Sequence, residues 1–116
     1  MRLRNLLLAL ALTFSGLLAV VPTEAPAEAA TPVHVTIKNM AFTPSVVTIH
    51  RGRTVVWTNR DLLLVHSVVI TSGPRLFHSS LLLPGGSFSH TFNVRGTYRY
   101  KCGVHPMMRG TIKVVV

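Results

Sequence analysis

Residues 33–116 read as an all-β domain, a sandwich or barrel of seven or so short strands, on three observations. Apolar and polar residues alternate with a period of two, the runs are rich in β-branched residues, and glycine, proline and other turn formers bound each run. Short strands at turn-bounded spacing, with no helical period among them, point to two packed sheets or a closed barrel.

Val33-His34-Val35-Thr36-Ile37 alternates cleanly, with Val33, Val35 and Ile37 on one face. Phe42-Thr43-Pro44 leads to a second run, Val46 to His50, which ends at the Arg51-Gly52-Arg53 turn. Thr54 to Asn59 sets Val55 and Trp57 on one side and Thr54, Val56 and Thr58 on the other. The next strand is expected over His66 to Thr71, closed by Ser72-Gly73-Pro74. Pro84-Gly85-Gly86 turns into Ser87 to Phe92, Arg95-Gly96 into Thr97 to Cys102, and Gly110 opens a last strand, Thr111 to Val116. No repeat and no second domain is visible, and 116 residues suit one domain.

The N-terminus differs in kind. Arg2 and Arg4 precede an apolar run, Leu6 to Val21, broken only by Thr13, Ser15 and Gly16, and followed by the small-residue stretch Pro22 to Ala30. This is the layout of a secretory signal peptide, with cleavage expected after Ala27, Ala29 or Ala30. The run is short for a bilayer span, which needs about 20 residues, so no membrane insertion of the mature form is expected. No cysteine lies near the segment, which excludes a lipid anchor on it. The expected division is therefore a cleaved leader, residues 1–30, and an exported domain, residues 31–116, periplasmic or secreted.

Cleavage would remove Arg2, Arg4, Glu24 and Glu28, leaving ten basic residues and one acidic residue, Asp61. A net +9 favours acidic partners and salt-sensitive encounter. The basic residues are scattered rather than clustered in one run, and export argues against nucleic acid. One acidic residue leaves no carboxylate pair for hydrolytic acid–base chemistry.

Cys102 is the only cysteine, so an internal disulfide is impossible and the choices are a free thiol, an intermolecular bridge or a metal ligand. Strand parity puts Tyr98, Tyr100 and Cys102 on one face and Arg99 and Lys101 on the other, so Cys102 points inward. The same reasoning turns His66, Val68 and Ile70 inward, with Ser67 and Thr71 opposite. His105 and Met108 follow in a loop where Gly103, Pro106 and Gly110 permit tight turning. Each residue alone has a plain reading as packing or a hydrogen-bonded histidine. Together, Cys-x2-His-x2-Met with one inward histidine elsewhere offers thiolate, two imidazoles and a thioether, the donor set of a blue-copper centre. Zinc is a poor match for a thioether. The expected metal ligands are His66, Cys102, His105 and Met108, holding one copper ion. Met107 competes with Met108 for the axial place, and His90, on the inward register with Phe88 and Phe92, competes as a ligand. His34 and His50 face outward, His78 has no spacing partner, and Met40 is expected in the core.

Three motifs carry a family resemblance: Val55-Val56-Trp57-Thr58-Asn59-Arg60-Asp61, Pro84-Gly85-Gly86-Ser87-Phe88, and Gly96-Thr97-Tyr98-Arg99-Tyr100-Lys101-Cys102 through Gly110. Over residues 32–116 the chain resembles the cupredoxins of the plastocyanin/amicyanin branch, and its short ligand loop is similar to that of amicyanin. The resemblance implies an eight-stranded Greek-key sandwich binding one type 1 copper through His66, Cys102 and His105, with Met108 axial. It also implies electron transfer through the exposed edge of His105, framed by an apolar patch to which Pro106 and Met107 belong. Two departures stand out. The segment Arg60 to Val65 is one residue longer and more apolar than the family's, with Val65 where proline is common. Ser67 stands where these proteins usually place an asparagine that braces the cysteine loop.

The expected function is that of a soluble, monomeric one-electron carrier, not an enzyme, that docks with an acidic redox partner. A copper carrier without a redox circuit, or a basic polyanion-binding module on a degenerate form of the fold, are the alternatives. Copper oxidases and nitrite reductases need further histidine-ligated copper, and the chain has no His-x-His pair to supply it.

Overall fold

Alternation along each run decides the layers. In the computed structural model, which describes residues 31–116, eight strands form: β1 (Val33–Lys38), β2 (Ala41–Thr43), β3 (Val46–His50), β4 (Thr54–Asn59), β5 (Val69–Ser72), β6 (Ser87–Thr91), β7 (Gly96–Lys101) and β8 (Arg109–Val115). The expected leader, residues 1–30, lies outside the described residues. Two four-stranded sheets result, ordered β2-β1-β4-β6 and β3-β8-β7-β5. The chain passes repeatedly from one sheet to the other, giving the expected Greek-key sandwich. The pairs β1–β4 and β3–β8 are parallel, and the other pairs are antiparallel.

The inward registers meet between the sheets. Val35, Ile37, Val55 and Trp57 from one sheet face Val47, Ile49, Tyr98, Tyr100, Ile112 and Val114 from the other, all buried. Removing a large apolar side chain from water is worth roughly 1.5–3 kcal/mol, so this layer is the main support of a domain without disulfides. At its centre Trp57 meets Tyr100 edge-on at 5.5 Å, and Tyr100 meets Phe42 in the same manner at 4.7 Å.

Three local features depart from the expected pattern. Ala41–Thr43 forms a strand of its own, because Asn39 and Met40 make a two-residue hairpin turn with Lys38 opposite Ala41. Both turn residues have positive φ, 55° and 59°, as a type I′ turn requires. That turn puts Met40 on the surface at 37% exposure, not in the core. Finally, β5 begins only at Val69. Residues His66, Ser67 and Val68 are all buried, because neighbours cover both faces of an irregular segment and parity no longer sorts them.

Candidate metal centre

The segment before β5 is held by pairing rather than by a sheet. His66 exchanges both backbone bonds with Leu82, donating at 3.2 Å and accepting at 2.7 Å. Val68 N–H donates to the Ser79 hydroxyl at 2.9 Å, and Ser79 N–H donates to the Val68 carbonyl at 2.8 Å. These bonds fix His66 at the end of the sandwich where β7 delivers Cys102. There the loop Cys102–Met108 closes on itself: Met108 N–H donates to the His105 carbonyl at 2.9 Å, and Cys102 N–H donates to the Met108 carbonyl at 3.1 Å.

The result is a convergence of three donors. The Nδ1 atoms of His66 and His105 each lie 3.7 Å from the Cys102 sulfur, and the three ligating atoms fall within 4.8 Å of one another. The two imidazole rings are tilted by 55° with centroids 4.9 Å apart. His66 and Cys102 are fully buried, and His105 is half-buried. Met108 is buried at 2% exposure in the same core cluster as Cys102, whereas Met107 stands 68% exposed.

The donor set fits a first-row metal ion. Bonds of about 2.0 Å to nitrogen and 2.3 Å to sulfur, spread at about 120°, separate the two atoms by about 3.7 Å. That is the spacing both Nδ1–Sγ pairs already have. Protonation also favours binding. His66 Nε2 lies 2.7 Å from the Asp61 carboxylate, an acceptor, so Nε2 carries the proton and the Nδ1 lone pair faces the sulfur. The Asn39 backbone N–H, first, and then the His66 ring hold the Asp61 carboxyl below the usual carboxylate range.

Asp61 and its support were missed in the sequence. The signal was there: Asp61 is the one acidic residue of the domain and stands five residues before an inward histidine. Asn59 completes the support. Its Nδ2 donates to the carbonyls of Leu64 and Leu82, both at 2.9 Å, and its Oδ1 accepts from Asp61 N–H at 2.9 Å. With both ends of the segment Arg60 to Val65 pinned, its middle stands out into solvent. Leu62 and Leu63 are 85% and 90% exposed, and His66 keeps its place.

Ser67 corrects a second expectation. It does not face outward but lies against the cysteine: its N–H donates to Cys102 Sγ at 3.4 Å, and its hydroxyl accepts from Gly103 N–H at 2.9 Å. The serine therefore braces the ligand loop from the position where an asparagine was expected to do so. Gly103 makes this approach possible, since a Cβ there would sit 2.7 Å from the Ser67 hydroxyl. The competing histidine, His90, is elsewhere, stacked on Phe77 at 3.7 Å, where burial lowers its pKa.

Comparison with known proteins agrees with this geometry. The family model of the cupredoxin-like domain matches residues 7–115. The chain belongs to the cupredoxin family. Amicyanin-alpha of Methylorubrum extorquens is 40% identical over 96 residues, covering 80% of this chain and 76% of that protein. A Cu(I) structure of an amicyanin variant superposes with a TM-score of 0.67 at 30% identity, covering 82% of this chain and 96% of that one. The copper-containing nitrite reductase of Thermus scotoductus gives a TM-score of 0.72 at 32% identity over 84% of this chain, but the chain spans only 25% of the reductase. The same sandwich thus also occurs as part of an enzyme.

Proposed function

We propose that this cupredoxin is a type 1 copper protein that carries single electrons between partners, with His66, Cys102, His105 and Met108 as its metal ligands. The observation that carries the reading is the meeting of two Nδ1 atoms and one thiol sulfur within 4.8 Å, beside a buried methionine. Copper bound there would supply a Cu(II)/Cu(I) couple.

The chain's own groups are arranged to keep the site still while charge changes. Asp61 accepts from His66 Nε2, and the Ser67 N–H donates to the Cys102 sulfur, where it would steady the charge of a metal-bound thiolate. Two backbone bonds across the Cys102–Met108 loop keep His105 and Met108 in register with the cysteine. Buried donors on a braced loop have little freedom to rearrange, which suits electron transfer. His105, the half-buried ligand, offers the exit, with Pro106 and the exposed Met107 beside it.

In this reading residues 1–30 are a cleaved leader, and residues 31–116 work as a soluble monomer in the periplasm or outside the cell. Among the described residues no helix is long and apolar enough to cross a membrane. The partner is a redox protein with an acidic docking surface, matched to ten basic residues against one acidic residue. The amicyanin relatives favour a carrier over an enzyme, and this chain spans a quarter of the reductase that shares the fold. Electron self-exchange between the reduced and oxidised forms, followed by NMR line broadening, tests this. Fast exchange at a reversible couple is expected. Slow exchange combined with ready copper loss to a chelator would replace the electron carrier with a copper carrier.

A further inference from the structure

The outer face of the β3-β8-β7-β5 sheet gathers cations that look scattered in the sequence. On β7, Arg99 and Lys101 point away from the core, as do Arg109 and Lys113 on β8. The register sets Lys101 directly opposite Arg109, Arg99 opposite Thr111, and Thr97 opposite Lys113. With strands about 4.8 Å apart and steps of about 6.7 Å per two residues, the four cations share a field of about 5 by 13 Å. Like charges directly opposite one another are destabilising. Asp61, the single acidic residue of the domain, is attached to the other sheet and engaged with Asn39 and His66. The only ion pair among the described residues is that of Asp61 with His66. The repulsion across β7 and β8 therefore has no acidic side chain of residues 31–116 to offset it.

We propose that this sheet face is the docking surface for an acidic protein partner, in which carboxylates supply the missing counter-charge. The inference rests on the electron-carrier reading for its purpose: Lys101 and Arg109 directly adjoin Cys102 and Met108 in the chain, so a partner seated here lies one residue from two proposed ligands. Its neighbours on the face are Thr48, Thr71, Thr97 and Thr111, with Val46, Val69 and Val115, and His50 at the far end of β3 is the one ring, so no Phe, Tyr or Trp offers a platform for nucleic-acid bases. A short, flat cluster of four cations suits a patch of carboxylates better than a long phosphate track.

The test uses the reduced, copper-loaded protein, which is diamagnetic, with an oligo-glutamate peptide as probe and an oligothymidylate as the competing class. Amide shifts on adding the peptide at low salt are expected at residues 97–101 and 109–113, fading as salt is raised. Arg99→Glu with Lys113→Glu should weaken peptide binding about tenfold or more while leaving the visible spectrum unchanged. Arg99→Gln with Lys113→Gln gives a milder loss and guards against a folding defect. Shifts confined to 62–64 and 104–107, unchanged affinity in both variants, or tighter binding of oligothymidylate than of peptide would each overturn the proposal. If the face binds the peptide but no redox couple is found, the docking surface stands and the electron-carrier reading fails.

Discussion

Asp61 shows how much of the centre depends on a residue that would not itself touch the metal. Its carboxylate fixes the tautomer of His66 and adds a negative charge on the far side of the ring. Asp61→Ala should lower copper affinity about ten- to a hundredfold. It should also raise the reduction potential, because a nearby anion favours the more highly charged oxidised ion. Asp61→Asn, whose carbonyl oxygen can still accept from Nε2, should recover part of the affinity but not the potential. Copper titration and voltammetry on the two variants check this, and equal potentials in wild type and Asp61→Ala would refute it. A second contrast separates the methionines: Met107→Ala should leave the visible spectrum intact, and Met108→Ala should change it. The meeting of Cys102 with His105 was legible from a single cysteine, its strand parity and a three-residue spacing, whereas His66 reaches them from an irregular segment that parity does not describe. Asp61 and Asn59 were not legible, since their roles depend on the path of the chain between two anchored ends.

Elements were legible where the pleat was regular. β3 and β4 fall where alternation put them, and β1, β6, β7 and β8 differ from expectation by one or two residues at their ends. The turn at Asn39 and Met40 was hidden, because neither residue is glycine and the positive φ is a product of the hairpin. The segment His66 to Val68 was misjudged because it is paired on both sides without being a regular strand. Its bracing of the ligand loop makes a prediction: Ser67→Ala removes the acceptor for Gly103 N–H and should cost about 1 kcal/mol in thermal or denaturant unfolding. Gly110, at the other end of the loop, is more constrained, since a Cβ there would run into the Tyr100 ring. That ring is itself wedged against Trp57 and Phe42, so Gly110→Ala should destabilise by about 1–3 kcal/mol.

At the scale of the whole molecule, the sandwich was legible as a class, but its strand order was not. Parallel pairing of β1 with β4 and of β3 with β8 joins runs that are distant in the chain and leaves no local signal. The gathering of Arg99, Lys101, Arg109 and Lys113 on one face comes instead from the antiparallel register of β7 with β8. A core built around buried tyrosines carries its own pH dependence. Burial pushes the Tyr100 phenol up from 10.0 to about 12 and raises Tyr98 as well. An unfolded chain ionises first as pH rises, so the stability these groups contribute is complete below about pH 10 and falls between about 10 and 12. Denaturant midpoints across that range should decline, and Tyr100→Phe should flatten the decline.

The most direct measurement is the visible absorption spectrum of residues 31–116 titrated with Cu(II), beside a Cys102→Ser variant. An intense blue thiolate-to-copper band that saturates at one equivalent, and is missing from the variant, is the expected result. A folded protein that shows no such band, or shows it equally in Cys102→Ser, would contradict the type 1 site and the electron carrier built on it.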